Sequence, residues 1–215
     1  MNGYIFDFDG VVVDSMSMHL RAWELAHERV LGGPLLNPRR LTGMASTKIA
    51  AILTSAQGAR EKADRLIAEK RNIMASISED VPLLPGAHEV INSLHKKSIP
   101  VAICSNATGP FIRRVLDKHE LNIDVIISIE STSTPKPHPA PYLLAKKEIG
   151  LEKAPHRTVV GFEDSKHGMR AANEAGLYCV GILSLSTADE LIACGASLVF
   201  DNLEQASRHP EVFPK

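Results

Sequence analysis

The chain has 215 residues, 44% of them hydrophobic and 23% charged, with a net charge of −1. These are the proportions of a soluble globular protein, long enough for one ordinary domain or for a core with a modest insertion. The near-neutral balance argues against nucleic acid as a partner, and no apolar run approaches the roughly 20 residues that span a bilayer, which argues against membrane insertion.

The first predicted strand runs from Tyr4 to Phe8. Side chains two apart on a strand share a face, so Asp7 and Asp9 project together while Phe6 and Phe8 enter the opposite, packed face. Gly10 then allows a sharp turn. The run Asp7-Phe8-Asp9-Gly10 is thereby left at the carboxyl end of a buried strand, where open α/β sheets place their chemistry. Two carboxylates this close repel each other when ionised and call for a cation, a shared proton or a substrate. A divalent metal with one nucleophilic and one acid/base carboxylate meets that need; a solvated Asp-Gly turn is the plainer alternative.

From about Met16 to Val81 the pattern is almost wholly helical. Its apolar positions are Leu20, Trp23, Leu25 and Ala26 early, then Ile49, Ile52, Leu53, Leu66, Ile67, Ile73 and Met74, at helical spacing. Val81-Pro82-Leu83-Leu84-Pro85-Gly86 marks a proline-bracketed return. The simplest reading is a helical lid, residues 16–82, inserted after the first strand of a core formed by residues 1–15 and 83–215.

Further strands are predicted at Pro100 to Cys104, Val125 to Ile129, Thr158 to Phe162, Tyr178 to Ile182 and Leu198 to Phe200. Helical patterns fall between most of them, at Ala87 to Lys97, Gly109 to His119, Pro139 to Ile149, Ser165 to Ala175 and Thr187 to Cys194. Strands alternating with helices imply parallel βαβ units and a doubly wound α/β sheet. Three strand ends supply polar groups. Ser105 and Asn106 offer a hydroxyl and turn donors that could hold a phosphate oxygen, or could simply cap the next helix. Lys136 is a cation presented between prolines that stiffen its loop. Glu163 and Asp164 are adjacent hard-oxygen donors suited to Mg²⁺, with helix capping by Asp164 or Ser165 as the alternative. All four groups fall at the same end of one predicted sheet and together build one site.

The remaining features are plainer. Cys104, Cys179 and Cys194 are too scattered for a metal knuckle, and their odd number argues against a disulfide framework. The N-terminus lacks a basic and then apolar signal region, and a cytoplasmic protein is expected. His138, His156 and His167 show no metal-ligand spacing and read as surface or loop residues.

Asp7-Phe8-Asp9-Gly10-Val11, Ser105-Asn106, Lys136-Pro137 and Gly161-Phe162-Glu163-Asp164-Ser165, in this order, resemble the four motifs of the haloacid dehalogenase superfamily. The stretch from Asp9 to Trp23, with His19-Leu20-Arg21-Ala22-Trp23, and the stretch from Ser105 to Phe111 resemble its β-phosphoglucomutase-like branch, whose members carry a helical cap at this location. The resemblance implies a Rossmann-like core with a cap that closes over the substrate. It also implies a mechanism: Asp7 attacks phosphorus to give an aspartyl-phosphate, and Asp9 protonates the leaving alkoxide and later activates water. It assigns Mg²⁺ as cofactor, held by Asp7, the Asp9 backbone carbonyl and Asp164, with Glu163 a direct or water-mediated helper. Ser105, Asn106 and Lys136 would bind the phosphoryl group. A two-component receiver or other non-enzymatic phosphobinding role is the reading from another class, disfavoured because Asp7 and Asp9 alternate on one strand and a helical insertion follows.

Substrate choice rests on the cap. His19 sits where the branch has a substrate-gating histidine. Phosphoglucomutases of the branch carry a Leu-Lys-Gly pattern followed by an arginine, whereas this chain reads Leu41-Thr42-Gly43-Met44-Ala45-Ser46-Thr47-Lys48. Thr42 replaces the lysine and no arginine follows; Lys48 or Arg71 could compensate, and Thr42 and Gly43 could simply shape a turn. Ala107 likewise stands near a position that is polar in the mutases. The expected activity is therefore hydrolysis of a small phosphorylated metabolite, a sugar phosphate first, with a phosphosugar mutase as the alternative. A monomer is expected, with a dimer the alternative.

Overall fold

Tyr4, Ile5 and Phe6 form an unbroken apolar run, as a strand covered on both faces requires. That segment becomes the centre of the core. In the computed structural model, which describes residues 2–41, 46–77 and 81–214, the strands are β1 (Gly3–Phe6), β2 (Val101–Cys104), β3 (Val125–Ile127), β4 (Val159–Glu163), β5 (Tyr178–Ile182) and β6 (Leu198–Phe200). They form one six-stranded sheet in the order β3-β2-β1-β4-β5-β6, and every pairing is parallel. The helices are α1 (Met16–Leu31), α2 (Ser46–Ala56), α3 (Ala63–Ile77), α4 (Ala87–Lys96), α5 (Gly109–Lys118), α6 (Ala140–Glu148), α7 (Lys166–Glu174), α8 (Ala188–Ala193) and α9 (Leu203–Ser207).

The chain divides into two compact units, Met1–Asp14 with Pro82–Lys215, and Ser15–Val81. The first contains the sheet. On one of its faces Phe6 and Phe162 stack at 4.8 Å, and Phe213 from the C-terminal segment stacks on Tyr4 at 5.0 Å. The Tyr4 hydroxyl donates to the Val212 carbonyl at 2.8 Å, which satisfies the polar end of a buried ring. A second cluster joins Ile5, Ala102, Cys104, Tyr142, Met169 and Cys179. The second unit has its own core, in which Trp23, Ala26, Ile49, Leu53, Leu66 and Ile73 pack together.

The α/β architecture follows the sequence pattern, and the differences lie at element ends and in the short helix α9, which the pattern does not show. β1 stops at Phe6 instead of Phe8, because Val12 and Val13 both donate to the Phe8 carbonyl at 3.0 Å and Gly10 adopts φ +79°. The chain therefore reverses directly after Asp9, which sits on this loop in a bridge to Val13 and not on the strand. Helix α5 begins at Gly109 after an extended Thr108, so Ser105 and Asn106 do not cap it. The three cysteines are free and buried. Among the described residues no helix is long and apolar enough to cross a membrane.

Removing the fully buried Phe162 ring from its stack on Phe6 leaves a cavity between β4 and β1. Phe162→Ala is expected to cost about 3–5 kcal/mol in urea unfolding; a loss below about 1 kcal/mol would contradict this packing.

Candidate active site

The register pairs Phe6 with Ile103 of β2 and with Phe162 of β4. The next residues along the three strands are therefore Asp7, Cys104 and Glu163, side by side at the carboxyl edge. A backbone hydrogen bond from Asp7 N to Phe162 O at 2.9 Å carries the pairing one residue past β1. Lys136 reaches this edge from the loop before α6. Its Nζ lies 2.9 Å from Asp7 Oδ1, 2.6 Å from the Cys104 carbonyl and 2.5 Å from Glu163 Oε1. Those three acceptors match the three protons of an ammonium group. The Tyr142 oxygen is a longer fourth neighbour at 3.2 Å.

All of these groups are buried, Glu163 completely. Burial and the neighbouring Glu163 push the Asp7 carboxyl up to about 8 despite the pull of Lys136. Burial, Asp7 and Glu163 likewise hold Asp164 well above the usual carboxylate range. Burial would disfavour the Lys136 ammonium, but attraction to Asp7 and Glu163 outweighs it and raises its pKa. Tyr142 is held protonated by burial and by Glu163. The negative charge of the cluster is thus only partly answered by its cation.

Asp7, Glu163 and Asp164 each offer a carboxylate oxygen, and the three atoms lie within 4.8 Å of one another. Hard oxygen donors at this spacing suit Mg²⁺. Fully ionised, three carboxylates and one ammonium leave two negative charges, which one divalent cation offsets. The residues therefore fit the metal. Asp164 is steadied by Ser184, whose hydroxyl lies 3.3 Å from Asp164 Oδ2 and also meets the Gly10 carbonyl. A side chain at residue 10 would collide with Asp164, so this turn needs glycine for space as well as for its positive φ.

Ser105 is buried directly after Cys104, with its hydroxyl accepting from Ala107 N at 2.9 Å. The Asn106 amide meets Lys136 on both sides, accepting from Lys136 N at 3.3 Å and donating to Lys136 O at 3.4 Å. Its side chain thus fastens the lysine loop. Ser165, not Asp164, caps α7 by accepting from Gly168 N at 3.0 Å.

In the helical unit, His19 Nδ1 lies 2.9 Å from Lys70 Nζ. Lys70 is buried, 5.9 Å from the Trp23 ring centroid, whereas Arg71 is exposed. Thr42 and Gly43 lie outside the described residues. Sequence reading did not single out Lys70, Tyr142 or Ser184. The signal for Lys70 was weak, since it stands in a charged run that reads as a solvated helix face.

A family model described as haloacid dehalogenase-like hydrolase matches residues 4–182. Hexitol phosphatase A of Escherichia coli strain K12 is 29% identical, over 94% of this chain and 92% of its own length. A phosphorylated carbohydrates phosphatase of Thermotoga maritima is 27% identical, over 91% of this chain and 92% of its own. Among solved structures, a candidate β-phosphoglucomutase from Thermotoga maritima superposes with a TM-score of 0.78 at 27% identity, covering 95% of this chain and 96% of that one.

The raised carboxyls make a testable statement. Asp7 titrates near 8 when folded and near the ordinary carboxylate value when unfolded, so between those values the folded state binds the extra proton. The metal-free protein therefore loses stability as pH rises from about 4 to 8. Mg²⁺ held by these carboxylates would bind their deprotonated form, and its stabilising effect is expected to grow over the same window. At a hundredfold excess over its dissociation constant the gain is about 2.7 kcal/mol. Thermal unfolding with and without Mg²⁺ at pH 6 and 8 reads this directly, and an equal Mg²⁺ effect at both values, or an effect that survives Asp164→Asn unchanged, would contradict the site.

Proposed function

This chain belongs to the haloacid dehalogenase-like hydrolases, in their β-phosphoglucomutase-like branch, and from that premise we propose that it is a Mg²⁺-dependent phosphatase acting on a small phosphorylated metabolite through an aspartyl-phosphate intermediate. The observation that carries the reading is the buried Asp7 carboxylate, sharing Lys136 with Glu163 and lying beside Asp164 at the carboxyl edge of the sheet.

In the proposed reaction an Asp7 oxygen attacks phosphorus while the bond to the leaving alkoxide breaks. Asp9 supplies the proton that the alkoxide takes. A water molecule then attacks the phosphoryl group, Asp9 receives its proton, and Asp7 is released with inorganic phosphate. As Asp7 turns to phosphorus, the Lys136 N–H it held passes to a phosphoryl oxygen, and the Ser105 hydroxyl and the Asn106 turn hold another. Mg²⁺, held by Asp7, Asp164 and the Asp9 carbonyl, with Glu163 direct or through water, would offset the repulsion between the carboxylate and the phosphate.

A sugar phosphate is the substrate class we favour. The relatives named hexitol phosphatase A and phosphorylated carbohydrates phosphatase support it; Thr42, standing where the resemblance places a lysine in the mutases, favours hydrolysis over return of the phosphoryl group to a bisphosphate. Within the helical unit, His19 and Lys70 are the polar pair we assign to substrate recognition. The likeness to a candidate β-phosphoglucomutase favours a phosphosugar mutase as the second reading.

Phosphate release across a phosphosugar panel, with and without Mg²⁺, separates the two when run beside a coupled assay for glucose 6-phosphate made from β-glucose 1-phosphate. The phosphatase reading predicts Mg²⁺-dependent release with no isomer formed; isomerisation that needs a bisphosphate primer and releases little phosphate would overturn it. Asp7→Asn is expected to abolish turnover with a native circular dichroism spectrum, and Asp9→Asn to lower it about 10²- to 10⁴-fold. Retained activity in folded Asp7→Asn protein would refute the nucleophile.

A further inference from the structure

Tyr142 lies on the first turn of α6, fully buried among apolar side chains. A phenylalanine would fill the same space. The hydroxyl therefore serves something other than packing, and a buried phenol is costly unless it is hydrogen-bonded. Here it donates to Glu163 Oε1 at 2.6 Å, the same oxygen that receives Lys136 at 2.5 Å. The other oxygen, Oε2, accepts from Ser165 at 3.2 Å. Ser165 is itself fixed as the cap of α7, and a side chain at residue 168 would overlap the Glu163 carboxylate. Glu163 is thus tethered at both oxygens, in a seat shaped by a glycine. The Tyr142 ring also lies under Lys136, with the ammonium 4.7 Å from the centroid.

We propose that Tyr142 is a positioning residue, its hydroxyl holding Glu163 against Lys136 so that the lysine is fixed where it meets the transferring phosphoryl group. The identity of that group rests on the phosphatase reading above. Without the phenolic donor, Glu163 Oε1 keeps only the lysine, and the carboxylate gains freedom to turn about its side-chain bonds. Lys136 then loses the fixed counter-ion that aims it. Its charge remains, so binding in the ground state changes little. Loss of alignment appears in the transition state, where preorganised charge has its largest effect.

The test is a double-mutant cycle on the full chain with Tyr142→Phe, Glu163→Gln and the pair. It has two readouts: hydrolysis of p-nitrophenyl phosphate, and calorimetric binding of orthovanadate with Mg²⁺, which requires no turnover. Tyr142→Phe keeps the ring and is expected to fold as wild type. It should lower kcat about tenfold with KM within about twofold, and weaken vanadate binding about tenfold, the size expected for one hydrogen bond to a charged group. In the Glu163→Gln background, where the acceptor is neutral, the effect of Tyr142→Phe should shrink to less than about threefold. Wild-type vanadate affinity in Tyr142→Phe, or the same tenfold loss in both backgrounds, would overturn the proposal. If wild-type protein hydrolyses no phosphoester while the coupling in vanadate binding is present, the phosphatase reading fails and the positioning role stands.

Discussion

One ammonium group, that of Lys136, lies among the carboxylates of Asp7, Glu163 and Asp164 where little water reaches them. An ion taken out of water is costly unless its partners are close and its hydrogen bonds complete. Lys136 meets this condition, with an acceptor for each of its protons. The acids do not, because burial and mutual repulsion hold Asp7 and Asp164 partly toward their neutral forms. Removing the lysine from such an arrangement would be expected to cost about 3–5 kcal/mol, since uncompensated buried charge would remain. That deficit of positive charge suits the cluster to a divalent cation, and on the proposed mechanism to a phosphate as well.

The fold brings these groups together by placing three strand ends side by side. β1 lies between β2 and β4, so Asp7, the Cys104 carbonyl and Glu163 become neighbours although they are far apart in sequence. The aromatic stack of Phe6 and Phe162 braces the two strands that carry the acids. Lys136 comes from a loop, and the Asn106 amide on both sides of its peptide ties that loop to the end of β2. Rigid strands thus hold the carboxylates, and a fastened loop brings the cation to them.

Much of this arrangement was legible in the sequence because it depends on local rules. Short β-branched runs gave the strands, alternation with helices gave the parallel sheet, and polar residues at strand ends gave Asp7, Ser105, Lys136, Glu163 and Asp164 as one group. What escaped depends on tertiary contact. Tyr142 reads as a core aromatic on a helix, and only its meeting with Glu163 shows what its hydroxyl does. Ser184 lies in a run of small polar residues after β5, with nothing local to join it to Asp164. Lys70 stands in a charged run, and its burial beside His19 depends on how α3 packs on α1. The position of Asp9 was missed because strand periodicity was carried on to it, whereas β1 ends at Phe6 and Asp9 already lies on the loop. The short helix α9 lacks enough residues for a helical period to be visible.

In the proposed mechanism Asp7 accepts the phosphoryl group. This step is tested most directly by mixing the enzyme with excess substrate and Mg²⁺, quenching in acid within the first turnovers, reducing with borohydride and mapping the peptides by mass spectrometry. An acyl phosphate at Asp7 would be converted to homoserine, and that mass change is expected at residue 7 alone, absent without substrate. Phosphate released in the same sample with residue 7 unmodified, or with the phosphoryl group carried on Ser105, would contradict it.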